Sequence, residues 1–345
     1  MGRVLAAAAE PARVDLPEAR EPAEERGSGR DDVRLLVARA DTELQHARFA
    51  ELPKFLEPGD LLVVNTSATL PAAIAVRGPK AGLTLNLSTP ARDQEPHIWL
   101  AELRRAGERY EGGREGQVLL LPSGATAVLL ERDAGGRLWR VSLHLPDSLE
   151  GYLARHGAPI RYRHVDHAWP LERYRTVYAL EPGSAEMPSA GRAFTPELLT
   201  RLIAGGVDIA PLVLHTGVSS LEVGEKPQAE RFRVPRFTAA RVNLTRELGG
   251  RVIAVGTTVV RALEASAGAD GHVRAKHGWA DLVIEPAGPI RGLDGLLSGF
   301  HDRDSSHLAI LQAIAGRVLL ERSYDEALRA GYLRHEFGDL HLLLP

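Results

Sequence analysis

Four groups of side chains in this sequence could do chemistry. The most concentrated runs from Val252 to Arg261 and reads Val-Ile-Ala-Val-Gly-Thr-Thr-Val-Val-Arg. An apolar strand pattern ends at Gly256, and the hydroxyls of Thr257 and Thr258 open a helical pattern. Unpaired amides and the helix dipole make such a turn a seat for carboxylate, phosphate or ribose oxygens. An ordinary helix cap with a structural glycine has the same spacing. The second group is Pro188-Ser189-Ala190-Gly191, where small residues allow a ligand close to the backbone, as they also would in a plain loop. The third comprises His215 and His301, imidazoles at strand ends that suit a general base or a substrate hydrogen bond, or simply a satisfied polar residue. The fourth runs from Arg155 to Arg175 and interleaves Arg161, Arg163, Arg173 and Arg175 with Trp169 and Tyr174. Guanidiniums and aromatics in that mixture can hold phosphate and stack a base, and a polar linker between domains would look alike. His301, Asp302, Asp304 and His307 offer metal-ligand types. Charged turn residues beside a helix are usually solvated, so no metal is expected.

Several classes drop out. The chain has 345 residues and no cysteine, which removes disulfides, thiolate metal sites and a cysteine nucleophile. Walker, G-x-S-x-G and H-E-x-x-H patterns are absent, and the Gly256 segment is not a dinucleotide fingerprint. A formal net charge of -3 argues against a nucleic-acid coat and leaves room for a local basic face. No run of ~18 apolar residues exists, so no membrane span is expected. The first ten residues lack a long apolar region, and the protein reads as cytoplasmic.

The elements that must position these residues fall into three textures. Residues 1–32, rich in Pro, Glu, Arg and Gly, read as a flexible N-terminal arm. Residues 70–147 carry six short apolar runs separated by turns, the pattern of a small antiparallel β-barrel. Residues 33–69 and 148–345 mix strands and helices. Strands are predicted over 33–37, 61–64, 207–214 and 251–255. Helices are predicted after Thr195-Pro196, over 259–266 and 306–314, and over 324–330. The fold class is therefore a multidomain α+β protein, with a mixed α/β main domain and an inserted small antiparallel β-barrel domain.

Taken in order, these segments resemble one family, the S-adenosylmethionine:tRNA ribosyltransferase-isomerases of queuosine synthesis. Pro58-Gly59-Asp60-Leu61-Leu62-Val63-Val64-Asn65 is similar to its early segment, and Glu172 to Ala179 with Pro182-Gly183-Ser184 to its central one. Pro188 to Thr195, Leu214-His215-Thr216-Gly217, Gly250 to Arg261, Phe300-His301 and Phe337-Gly338-Asp339 follow in the family order. The likeness runs from about residue 32 to the C-terminus.

The resemblance implies an α/β domain with an inserted barrel, and S-adenosylmethionine used as a ribosyl donor. In that chemistry a base removes a proton from the carbon beside the sulfonium and adenine is expelled. The aminomethyl group of a 7-deazaguanine in tRNA then attacks the activated sugar, and methionine leaves as an epoxide forms. It implies Gly256, Thr257 and Arg261 as donor-binding residues, with Ser189, Ala190, Gly191, Asn65 and Glu230 around the substrate. His215, His301 and Thr258 would be catalytic, and Arg161, Arg163, Arg173 and Arg175 would face RNA. S-adenosylmethionine is the expected co-substrate and tRNA the expected partner, for a monomer or homodimer. Thr66-Ser67-Ala68 replaces the family's Asp-Thr-Arg, Ala193 its His, and Gly299 the Asn before Phe-His. Two alternatives follow from these differences. One is a paralogue that uses or cleaves S-adenosylmethionine with a non-tRNA acceptor. The other is a nucleoside- or RNA-binding module without turnover.

Overall fold

The apolar strand runs build the frame by alternation. In Leu61–Asn65, Leu61 and Val63 enter one core cluster while Leu62 and Val64 enter another. In Val252–Val255, Ala254 faces the first cluster and Ile253 and Val255 the second. Successive side chains of a strand point to opposite faces, so a run apolar on both faces demands a sheet covered on both sides. The computed structural model describes residues 15–40, 42–78, 82–92, 95–133, 136–161, 164–165, 167–218, 227–302 and 305–345.

The result is a mixed α+β architecture around a nine-stranded sheet. Its strands run in the order Lys276–Ala280, Glu230–Val234, Asp208–Leu214, Leu61–Asn65, Val252–Val255, Gly295–Gly299, Leu340–Leu344, Arg34–Arg39 and Gln45–Arg48. The four strands from Asp208–Leu214 to Gly295–Gly299 are mutually parallel. Their C-terminal ends therefore share one edge, where open α/β sheets bind ligands. Helices Arg236–Glu247, Thr257–Glu264 and Ser306–Arg329 cover one face, and Phe49–Phe55 with Pro196–Ala204 the other.

Local chemistry explains the helix ends. Thr195 Oγ1 accepts from the Leu198 amide at 3.1 Å, Pro196 takes the first helical position, and Gly205 closes that helix. The two predicted C-terminal helices form one run, Ser306–Arg329, interrupted at Gly316 where φ is 72°. Gln45–Phe55 is a short strand followed by a 3-10 turn.

A second, antiparallel sheet holds Gly157–Ala158, Ala73–Ala75, Leu83–Pro90, Ile98–Arg105, Trp139–His144, Thr126–Arg132 and Val118–Leu120 in that order, with Glu108–Arg109 alongside Ile98–Arg105. Each of the six predicted runs is a strand. The Arg77 amide donates to Leu120 O at 2.7 Å, linking the last strand to the chain just after Ala73–Ala75. This sheet has its own core, with Leu85, Leu87, Trp139, Val141 and Tyr152.

Residues 15–32, read from composition as a loose arm, are packed. Leu16, Ala19 and Ala23 are buried, and Glu24 meets the buried Arg192 at 2.6 Å. Arg173 pairs with Glu25 at 2.8 Å. The composition hides these contacts because their partners lie far along the chain. Among the described residues no helix is long and apolar enough to cross a membrane.

Candidate active site

The shared strand edge opens into a cavity of about 760 Å³. Gly256, Thr257, Thr258 and Arg261 form part of its wall, directly after the strand Val252–Val255. Gly256 has φ 90° and ψ 155°, and this left-handed backbone turns the chain from strand into helix. A Cβ there would meet Ala190 Cβ at 3.4 Å, which is ordinary contact. Strain therefore decides, and Gly256→Ala should lose about 1–2 kcal/mol of stability in a thermal melt. An unchanged melting temperature would show that the turn relaxes freely.

The turn's side chains are held from elsewhere in the fold. Asn65 is buried and accepts from the amides of Leu214 at 3.0 Å and Ser67 at 3.1 Å. Its Nδ2 donates to Leu214 O at 2.8 Å and reaches Thr258 Oγ1 at 3.4 Å. Arg261, on the next helical turn, pairs with Glu230 and donates to the carbonyls of Gln228 at 3.0 Å and Ala280 at 2.9 Å. Its Nε is buried without a partner among the described residues. Burial pushes the Glu230 carboxyl up, opposed by the Arg261 charge and the Gly217 amide at 3.2 Å.

Ser189, Ala190, Glu230 and His301 also line the cavity. Burial, then the neighbouring histidine charges, holds His301 well below the ordinary imidazole range, and its Nε2 meets Ser298 Oγ at 3.0 Å. Three expected site residues stand behind the wall. Asn65 acts through Thr258, as above. Gly191 leaves room for Tyr178, whose hydroxyl would lie 2.0 Å from a Cβ at that position. His215 Nδ1 faces Ser67 Oγ at 2.8 Å, and its ring fills the space a Cβ on Gly183 would need. Burial and the charges of Arg231 and Arg233 push His215 down to about 4.

The basic segment divides. Arg161 and Arg175 are exposed, Arg173 is paired with the N-terminal segment, and Arg163 lies outside the described residues. Asp304 lies outside them as well. His301 and His307 stack face to face at 4.6 Å instead of converging on an ion. A different group, Glu18, His164 and His335, has donor atoms within 4.8 Å of one another. Arg334 already sits on Glu18 at 3.1 Å and Glu336 on His164 at 2.7 Å, so two of its three donors are engaged.

Sequence reasoning missed the cavity's acidity and the part that the second sheet plays in its wall. Among the described residues, seven acidic ones, including Glu186, Glu285 and Glu336, line it against two arginines, Arg104 and Arg261. Arg104 comes from the strand Ile98–Arg105 and bonds the buried Glu102 at 2.7 Å. Only the alternation of that strand could have signalled an inward guanidinium. A wall weighted toward carboxylates attracts cations.

Comparison with known proteins finds similarity along nearly the whole chain. A family model described as "Queuosine biosynthesis protein" matches residues 14–343. The S-adenosylmethionine:tRNA ribosyltransferase-isomerase of Symbiobacterium thermophilum is 37% identical over 346 residues, covering 96% of this chain and 98% of that protein. The protein of the same name from Moorella thermoacetica is 37% identical over 329 residues, covering 91% and 94%. The crystal structure of an S-adenosylmethionine tRNA ribosyltransferase from Thermotoga maritima superposes with TM-score 0.53 at 30% identity, covering 96% of this chain and 99% of that one. With similarity along nearly its whole length to this family model and to relatives 37% identical, the chain belongs to the queuosine biosynthesis protein family.

Proposed function

We propose that this protein is an S-adenosylmethionine:tRNA ribosyltransferase-isomerase. It transfers and isomerises the ribosyl group of S-adenosylmethionine onto a 7-deazaguanine base in tRNA and releases adenine and methionine. The observation that carries the reading is similarity over nearly the full length to relatives bearing that name. The acid-weighted cavity supports it, because both the sulfonium of the donor and an aminomethyl acceptor are cations.

Gly256, Thr257, Thr258 and Arg261 hold the methionine or ribose part of the donor. Ser189 and Ala190 border the nucleoside. His301, neutral in its buried setting, is the proton-transfer group on the wall, and His215 supports the Ser67–Ser184 strand pair behind it. Arg161 and Arg175 face the RNA. Residues 70–147 are an inserted small barrel, an assignment that the Arg77–Leu120 bridge supports. Residues 33–69 and 148–345 form the main domain. The protein works in the cytoplasm without a metal, as a monomer or homodimer.

The test is mass spectrometry of S-adenosylmethionine incubated with the protein, with and without tRNA carrying 7-aminomethyl-7-deazaguanine. Adenine and methionine should appear together, and only with the tRNA. Release indifferent to tRNA would transfer the activity to another acceptor, and no release in either arm would refute turnover.

A further inference from the structure

The helix Ser306–Arg329 begins on the cavity wall, and its second residue carries an imidazole that the proposed function leaves unused. His307 Nδ1 lies 3.0 Å from Thr257 Oγ1, the first hydroxyl of the donor-binding turn. Its ring stacks on that of His301, with centroids 4.6 Å apart and planes at 11°. His301 is fixed in turn by Ser298 and by its own amide, which donates to the Tyr324 hydroxyl at 3.1 Å. Two parallel rings are thus anchored from opposite sides, one to the strand Gly295–Gly299 and one to the turn after Val252–Val255.

Burial, with the Arg261 charge, pushes His307 down to about 4, and His301 is lower than usual for the same first reason. Both rings are therefore neutral near pH 7. A neutral imidazole has one N–H and one bare nitrogen. With Nδ1 of His307 taken by Thr257, the remaining atom is Nε2. Among the described residues it has no partner, and it is not sealed inside the protein. His307 itself is part of the cavity wall. Leu282, Ile284 and Ile310 supply apolar lining for the same cavity, and a flat, partly apolar ligand edge suits them.

We infer that His307 is a specificity residue for the nucleobase of the donor, its Nε2 hydrogen-bonding the purine edge against the His301–His307 stack. This rests on the nucleoside-donor reading above. The contact reads the base because a site built to hydrogen-bond an edge rejects a base that lacks the matching group.

Calorimetry with S-adenosylhomocysteine and its 7-deaza and 6-oxo purine analogues tests it. His307→Ala should weaken S-adenosylhomocysteine by about tenfold. His307→Gln, whose amide can donate or accept, should stay within about threefold of the parent. Wild-type protein should bind at least one analogue more weakly, and for that analogue the alanine change should cost nothing further. A structural role would instead lower affinity for all three ligands alike, and that result overturns the assignment, as does unchanged binding by His307→Ala. If the alanine variant does not fold, the wild-type series still decides, since equal affinity for all three purines refutes the contact. Wild-type protein that binds none of them would refute the nucleoside-donor reading together with this contact. Intact binding without adenine release would refute the transfer reading alone.

Discussion

Arg261→Met should lower the stability of the protein by about 3–5 kcal/mol, because it leaves the Glu230 carboxylate buried without its partner. The parent guanidinium satisfies that carboxylate and two backbone carbonyls, of Gln228 and Ala280. The loss should depend on pH, and its sign follows from Glu230. Burial holds this carboxyl above its usual range in the folded state. The folded chain then binds its proton more tightly than the unfolded chain. The contribution of the group therefore falls as pH rises from the ordinary carboxylate range through the folded value. Without Arg261 the folded value climbs further and the window widens. Urea unfolding of Arg261→Met should show a larger deficit at pH 8 than at pH 5. Glu230→Gln combined with Arg261→Met should recover part of it at pH 8, since a neutral amide costs less to bury than an unpaired charge. Equal deficits at both pH values would mean that the carboxylate finds water or another cation when Arg261 is gone.

The reach of that ion pair shows where the sequence stops being legible. The turn from Gly256 to Arg261 could be read in advance, because a strand, a glycine and two hydroxyls in succession carry their own geometry. Six of the eight strands of the second sheet could be read as well, since their apolar runs and turns are local. Glu230 and Arg261 are 31 positions apart, and Thr257 and His307 are 50 apart. Nothing local pairs them. They meet because the C-terminal ends of the parallel strands share one edge with the start of the antiparallel strand Glu230–Val234. His215 misleads for the converse reason. It follows a strand and stands two residues before Gly217, as a base in a cleft would. Yet the missing side chain of Gly183 offers its ring a place between strands, and Ser67 fixes it there. The N-terminal segment was obscured in the same way. Its charges look solvated until Glu24 finds Arg192, 168 positions on.

Asn65 provides the second large expected effect, because one amide serves both the sheet and the site. Asn65→Leu would strand three backbone groups, the amides of Ser67 and Leu214 and the Leu214 carbonyl, at about 1–3 kcal/mol each before relaxation. It would also free Thr258. Asn65→Asp separates the two roles. An ionised carboxylate keeps both acceptor bonds but faces the Leu214 carbonyl and has no hydrogen to give Thr258. A protonated one restores a donor. In this buried position the folded state favours the protonated form, so the folded pKa of the new group lies above its unfolded value. Its stability must then fall as pH rises through that window. Asn65→Asp should approach the parent at pH 5 and drop below it by several kcal/mol at pH 8, whereas Asn65→Leu should be equally weak at both. Were the aspartate variant as stable at pH 8 as at pH 5, the donated bond to Leu214 would be dispensable. The two bonds accepted from Ser67 and Leu214 would then be enough to hold the side chain in place.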